Sequence, residues 1–550
     1  MVNGLSECTS RREFLKAAGA LGAALGAGVF ASSCSGGLGG SSDVTLSVST
    51  EGPYGPMPTK EERKASVGDE AYAQALQAWL DKNPGVSLKR VAVDIWDQET
   101  MTTALAGGTA PAAFVSNVIG GWGDAGIRSA FLQGLAADVT ELVKDSKLIG
   151  RLADYAKPLW EQTWTVNGSY YAGPSSYNVG DGIHYRRDLI EELGLKLPTP
   201  DWTWADVREL AAGMTEGKRK GIALQDWGLE NIVSAEGFGL LTTLPAPDTS
   251  WNWRWDYAAN VDYWAQIIGE MRAMRFDDKS VLADIAFGDG EIWNAFIRGE
   301  ACMHLNNVVY YTSSPTSDTT HMTLAKNLEK PLEEVVGWMP LPMGRNGYGA
   351  SGVSQGQIDS VSFSPDLDDD ELAAAFDLYL FMVGEGFVSQ TNFLYDKTND
   401  LKQVYSSANI TPVLRDSLEN MPGSPDEAWG KEFMDTIRAA TAHPLIPVTA
   451  WYIPAEDQTG PTSEAIDDAF SKWFFEPGRA DAAGDLRRTE EVRNSQTVGF
   501  TSSVPDEEFV TDARKYYEAH ERFWRTHSPT FYEEAFRDWY EQKVLPALDA

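Results

Sequence analysis

The sequence predicts an α/β fold, with helices laid over a largely parallel sheet, on three observations. Strand-like and helix-like spacings alternate from Val44 to Leu105, turn residues break the first strand and end the first helix, and 550 residues are enough for two or more domains. Val44-Thr45-Leu46-Ser47-Val48-Ser49 alternates apolar and polar residues, and Glu51-Gly52-Pro53-Tyr54-Gly55-Pro56 breaks it. Helical spacing follows over 71–81 and ends at Asn83-Pro84-Gly85; a strand returns over 86–93, then a helix over 100–105. In such sheets ligands sit beyond the carboxyl ends of the strands. Glu51 and Tyr54, then Asp94, Trp96 and Asp97, then Ser116 and Asn117 therefore become candidate ligand contacts. The alternative for each is a helix cap or an ordinary loop residue.

The N-terminus predicts export. Ser10-Arg11-Arg12-Glu13-Phe14-Leu15-Lys16 precedes a run of Ala, Gly, Leu and Val as far as Phe30. A charged start, a short apolar stretch and a small-residue boundary are the parts of a cleavable signal, and the Arg11-Arg12 pair resembles the twin-arginine type. Ala31-Ser32-Ser33-Cys34 resembles a bacterial lipobox, with Ala31 where a branched residue is usual. Residues 1–33 are accordingly expected to be signal, Cys34 the lipidated residue, and 34–43, rich in Ser and Gly, a flexible tether. Nothing after the signal is expected to span a membrane.

Of three cysteines, Cys8 leaves with the signal and Cys34 carries lipid, so Cys302 remains with no partner for a disulfide. Its apolar setting, Ala301-Cys302-Met303-His304-Leu305, predicts a buried, inert thiol. The 45 Lys and Arg against 80 Asp and Glu give −35, which argues against nucleic acid and against docking on anionic lipid.

Four motifs in order carry a resemblance. The first is Thr102-Thr103-Ala104-Leu105-Ala106-Gly107-Gly108-Thr109-Ala110-Pro111 with Leu135-Ala136-Ala137-Asp138-Val139-Thr140. The second is Tyr170-Tyr171-Ala172-Gly173-Pro174, His184-Tyr185-Arg186-Arg187-Asp188-Leu189-Ile190, Gly194-Leu195, Pro200 and Trp202-Thr203-Trp204. Ala295-Phe296-Ile297-Arg298-Gly299-Glu300-Ala301-Cys302-Met303 is the third, and Trp338-Met339-Pro340-Leu341-Pro342 with Gly349 to Gln357 is the fourth. From Val44 to about Gly386 the chain resembles the extracellular solute-binding proteins, family 1, of ABC importers. Ala112 stands where that family usually has Asp.

The resemblance implies a two-lobe periplasmic-binding-protein-like fold with a hinge and an inter-lobe ligand cleft. Lobe 1 is expected over 44–155 and 340–392, lobe 2 over 156–339 and 393–550, with crossings near 154–159, 339–342 and 391–395. It implies a small-molecule ligand of the carbohydrate class, captured outside the membrane by a monomer and delivered to ABC permease subunits. Matching positions place Glu51, Ser116, Asn117 and Trp122 on one side of the cleft and Gln225, Asp226, Trp227, Asn306 and Asn307 on the other, with Tyr310 or Tyr311 nearby.

Sugar sites pair flat aromatic rings with planar amides and carboxylates, and 19 Trp are present. Trp96, Trp122, Trp227, Trp251, Trp338 and Trp451 lie in predicted loops or near turns, with core packing as the alternative for each. No catalytic site is expected: no His-Glu-x-x-His, Gly-x-Ser-x-Gly or phosphate loop occurs. A glycoside hydrolase, which needs only two carboxylates, is the rival, and a receptor for a non-sugar polar solute is the other. No cofactor and no metal are expected, since His184, His304, His321 and His443 show no ligand spacing.

Overall fold

The structure, a computed structural model, describes residues 44–549 apart from several internal stretches, the longest being 225–245, 312–319, 348–356, 442–471 and 498–506. The signal, the tether, Arg11, Arg12 and Cys34 lie outside the described residues.

Strand β1 (Val44–Ser49) leads to helix α1 (Val67–Lys82), strand β2 (Val86–Val91), helix α2 (Gln98–Ala106) and strand β3 (Ala113–Val115). The short helix α3 (Ser116–Ile119) follows, then strands β4 (Ala172–Asn178) and β5 (Asp181–Arg186). Further on come helices α4 (Trp204–Met214) and α5 (Asp289–Ile297), strand β6 (Met303–Asn307), helix α6 (His321–Asn327) and strands β7 (Val336–Pro340) and β8 (Gln357–Phe363). Helices α7 (Asp369–Val383), α8 (Glu385–Thr398) and α9 (Glu507–His527) complete the elements used below.

Local chemistry sets these helices. The Ser66 hydroxyl caps α1 by accepting from the Asp69 N–H at 3.1 Å, and Ala71, Ala75, Leu76 and Trp79 form its buried stripe. Its end is marked by Asn83, whose side-chain amide donates to the Trp79 carbonyl at 3.0 Å. Thr203 with Asp206, and Asp368 with Glu371, make capping boxes that start α4 and α7. The indole N–H of Trp79 donates to Asp377 Oδ2 at 2.8 Å and ties α1 to α7.

The sheets are mixed rather than largely parallel. β1 and β2 pair in parallel, and the Ala112 N–H donates to the Ser47 carbonyl at 2.7 Å, which brings β3 alongside β1. β8 then lies between β3 and β4, antiparallel to both. In the second sheet β5 lies between β6 and β7, again antiparallel to both. A strand that returns from the other sheet enters at the end facing that sheet, so it must run against its neighbours. The pattern in the sequence could not reveal this, because periodicity reports which face is buried and not which way a strand runs.

Each sheet has its own core. One cluster unites Leu46, Trp79, Phe114, Trp160, Ala172, Phe363, Tyr379 and Leu414. Another unites Ile183, Trp204, Met214, Cys302 and Met339 with Tyr517, Trp524, Phe531, Phe536 and Tyr540, so the C-terminal helices pack on the second lobe. A third joins Phe296, Tyr311 and Trp338 to Tyr405 and Trp429. Ala156 and Trp160, expected in lobe 2, are buried in the first core, and the chain passes between sheets at 178–181 rather than at 154–159. It returns between Met343, which bridges to Thr203, and Gln357 at the start of β8.

Residues 369–398 have the length and apolarity of a membrane span, contrary to expectation. They are two helices broken at Gly384, and their apolar faces are used in packing: Phe376 and Tyr379 of α7 lie in the first core, while Phe387, Leu394 and Tyr395 of α8 pack on the third cluster.

Two close approaches require glycine. A methyl group at Gly173 would enter the Tyr379 ring, whose hydroxyl donates to the Pro174 carbonyl at 2.8 Å, and one at Gly337 would enter the Tyr185 ring. Gly173→Ala and Gly337→Ala, one per sheet, should each lower unfolding free energy by about 1–3 kcal/mol, read as a lower midpoint in urea. An unchanged midpoint would mean that these aromatic lids are not fixed.

Candidate functional site

The registers aim both sheets at one place. Val115, the last residue of β3, pairs with Val361, and Asn178, the last of β4, pairs with Gln357 at the start of β8. The ends of β3 and β4 therefore face the passage to the second sheet. Across that passage Asp181 opens β5 opposite Asn307, the last residue of β6, while Gly182 faces Pro340, the last of β7. Ala223 bridges His304 in parallel, so the chain entering 225–245 leaves at this same end. The strand ends of both sheets thus lie where the chain passes between them.

Four expected residues stand at those strand ends. Ser116 and Asn117 begin α3 directly after β3, and Asn306 and Asn307 end β6. Ser116 Oγ and Ser362 Oγ are 2.8 Å apart, and Ser362 donates on to the Tyr171 carbonyl at 3.1 Å. With Ser362's proton so used, Ser116 is the donor between the two hydroxyls. Asn117 is 4% exposed and its Oδ1 has no hydrogen-bond partner. An amide oxygen buried without a donor is costly, and such an atom is a prime place for a ligand hydroxyl. In the second lobe the Asn307 N–H donates to Asn306 Oδ1 at 2.8 Å, which fixes that turn.

The sequence matches the family model of bacterial extracellular solute-binding proteins over residues 71–393, more than half of the chain. The protein is a bacterial extracellular solute-binding protein. No curated protein matches it in sequence. Among solved structures it is similar to an ABC transporter solute-binding protein from Agrobacterium vitis with bound D-mannitol, at 18% identity and a TM-score of 0.53, covering 82% of this chain and 98% of that one. A Thermotoga lettingae solute-binding protein bound with α-D-tagatose has 13% identity, a TM-score of 0.55 and coverages of 82% and 99%. The GacH receptor of Streptomyces glaucescens, solved unliganded and with acarbose, has 15% identity, a TM-score of 0.53 and coverages of 83% and 98%. At these identities the likeness establishes the fold, which is the two-lobe architecture expected.

Other expected contacts of this solute-binding protein fall elsewhere. Trp338 is 2% exposed and packs within the third core cluster. Tyr54 is likewise buried in the first core, its ring centroid 6.3 Å from that of Tyr379. Asp97 accepts from the Thr100 N–H at 2.7 Å and caps α2, and hydrogen bonding from the Thr100 side chain, together with that N–H, holds its carboxyl below the ordinary range. Trp96, half exposed, donates its backbone N–H to Asp94 Oδ1 at 2.9 Å in the turn before that helix. Glu51, Trp122, Gln225, Trp227 and Trp451 lie outside the described residues.

Two features escaped the sequence or were read correctly from it. Cys302 is buried, and burial pushes its thiol up to about 11, as its apolar neighbours implied. His184, His304 and His321, scattered along the chain, come together beneath the Asn306–Asn307 turn. Only strand pairing across 120 residues could have shown this, and no spacing rule encodes it.

Trp338→Ala should cost about 3–5 kcal/mol in unfolding, as a core truncation. Asp97→Ala should lower the melting temperature and leave solute affinity unchanged. A loss of affinity with unaltered stability would restore either residue to the site.

Proposed function

We propose that this solute-binding protein captures a sugar or oligosaccharide between its lobes and hands it to the permease of an ABC importer. The observation that carries this reading is the buried, unpartnered Asn117 Oδ1 at the mouth of one sheet, with Asn306 and Asn307 at the mouth of the other. Uncharged amides and hydroxyls both accept and donate, which suits a ring of sugar hydroxyls and offers no cation to a phosphate or carboxylate. The bound mannitol, tagatose and acarbose of its structural relatives agree.

Binding is non-covalent. An open form admits solute to one lobe, and contacts with the second lobe stabilise the closed form in proportion to the ligand's preference for it. Each described carboxylate with a clearly displaced pKa is displaced downward by hydrogen bonds or ion pairs, as in Glu300, Asp206 and Asp435. A hydrolytic general acid needs the opposite displacement. Export through the Arg11-Arg12 signal and a lipid on Cys34 would hold the monomer at the outer membrane face. A tether fits a surface of −35, which anionic lipid repels.

Tryptophan fluorescence of residues 44–550, titrated with mono- and oligosaccharides and polyols, should saturate for one class and raise the melting temperature with it. Ligand recovered cleaved would favour the hydrolase, and no response across the panel would point to a non-carbohydrate solute. Asn117→Ala should weaken the responsive sugar by roughly tenfold, the loss of about one buried hydrogen bond, and leave the ligand-free protein no less stable.

A further inference from the structure

The three gathered histidines carry an inference independent of the solute. His184 on β5, His304 on β6 and His321 at the start of α6 are each fully buried, among the rings of Trp293, Phe296 and Tyr311. His304 Nδ1 lies 3.3 Å from the Leu305 carbonyl oxygen, and His321 Nδ1 lies 3.2 Å from that of Tyr311. A carbonyl oxygen only accepts, so the tautomer that serves both contacts places the ring proton on each Nδ1. Both Nε2 atoms are then bare lone pairs, and they face each other at 3.4 Å. Two lone pairs in contact repel.

A proton shared between them would relieve the repulsion but leave a charge in an apolar core. Burial holds His304 down to about 3 and the other two well below their ordinary range, with mutual repulsion adding to the effect on His184 and His321. A metal ion relieves the repulsion differently. Zinc–nitrogen bonds of about 2.0–2.1 Å at a tetrahedral angle set their nitrogens roughly 3.4 Å apart. The third ring fits the same logic. His184 Nε2 lies 3.1 Å from the Asn307 carbonyl and donates to it, which leaves Nδ1 bare, buried and without a partner. One ring nitrogen from each of the three histidines lies within 4.8 Å of those of the other two.

We propose that His304 Nε2, His321 Nε2 and His184 Nδ1 bind a first-row transition metal ion of the zinc class within the second lobe. The first two already stand at a metal's bite. His184, whose ring is stacked on that of His304 with centroids 4.8 Å apart, offers Nδ1 while its Nε2–H stays on the Asn307 carbonyl. Each ring donates its remaining N–H to a main-chain carbonyl, the outer-shell arrangement that fixes a ligand's tautomer. One of those carbonyls belongs to Asn307, so the ion braces the turn at the mouth of β6.

The test uses tag-free protein of residues 44–550 carrying His443→Ala and His527→Ala, loaded with zinc and dialysed against metal-free buffer. One equivalent should be retained, the melting temperature should rise with zinc and fall with chelator, and cobalt in its place should show the visible bands of a nitrogen-ligated tetrahedral ion. His321→Gln should lose both metal and bands. Retention of no metal, or equal retention by His321→Gln, overturns the site and leaves an uncharged histidine core. Should His321→Gln fail to fold, 15N-histidine spectra of the unaltered protein decide. Zinc must shift the resonances of three imidazoles at one equivalent, and unshifted resonances overturn the proposal whatever the solute experiments give.

Discussion

The structure depends on one constraint of chain path. The polypeptide passes from the first sheet to the second at 178–181 and returns before Gln357, and both passages join strand ends rather than strand middles. A strand entering a sheet from its partner's side must run antiparallel to those that end there. β5 and β8, each at the centre of its sheet, start at the end where β6 and β7, or β3 and β4, finish. This placement follows from the connectivity and needs no further design. The same connectivity makes hinging feasible, because few segments cross while each core stays intact on its own side.

Closely packed cores permit this only if the two bodies are stiff. The Trp79–Asp377 hydrogen bond joins α1 to α7, while the Tyr379 hydroxyl on the Pro174 carbonyl and the Trp202 indole N–H on the Pro340 carbonyl, each at 2.8 Å, pin their elements to the strands they cover. Interiors at crystal-like density shift as bodies and do not deform smoothly, so motion concentrates in the passages between them.

How much of this could be read from sequence depends on the range of the interaction. Caps, turns and amphipathic stripes are local, and Thr203 with Asp206, Asn83 and the 67–82 stripe all declare themselves in short windows. The place of Ser116 and Asn117 directly after a strand was legible because strand ends are local, while Asn306 and Asn307 at the end of β6 came from the family resemblance. Strand direction was not legible, since β8 meets β3 across more than 240 residues. The burial of Trp338 was hidden for a related reason: a tryptophan two residues before Pro340 looks like loop chemistry until β7 is paired and its face buried. Asp97 shows the converse, a polar residue at a strand's exit that is spent on a helix cap.

Buried polar atoms without partners connect stability to recognition. An amide oxygen such as Asn117 Oδ1, out of reach of protein donors, costs the ligand-free fold about 1–3 kcal/mol. A solute hydroxyl that satisfies it recovers that penalty at the moment of binding, so the cost carried by the empty protein reappears as roughly 5- to 150-fold in affinity. A solute that cannot supply the hydroxyl recovers nothing, which makes the same atom a source of selectivity. The Asn306–Asn307 turn contributes differently. The Asn306 side-chain oxygen is already met by the Asn307 N–H and the Asn307 carbonyl is held by His184, so this strand end is fixed before closure and carries little ordering cost. One lobe supplies an unmet donor requirement and the other a rigid surface, and capture needs both.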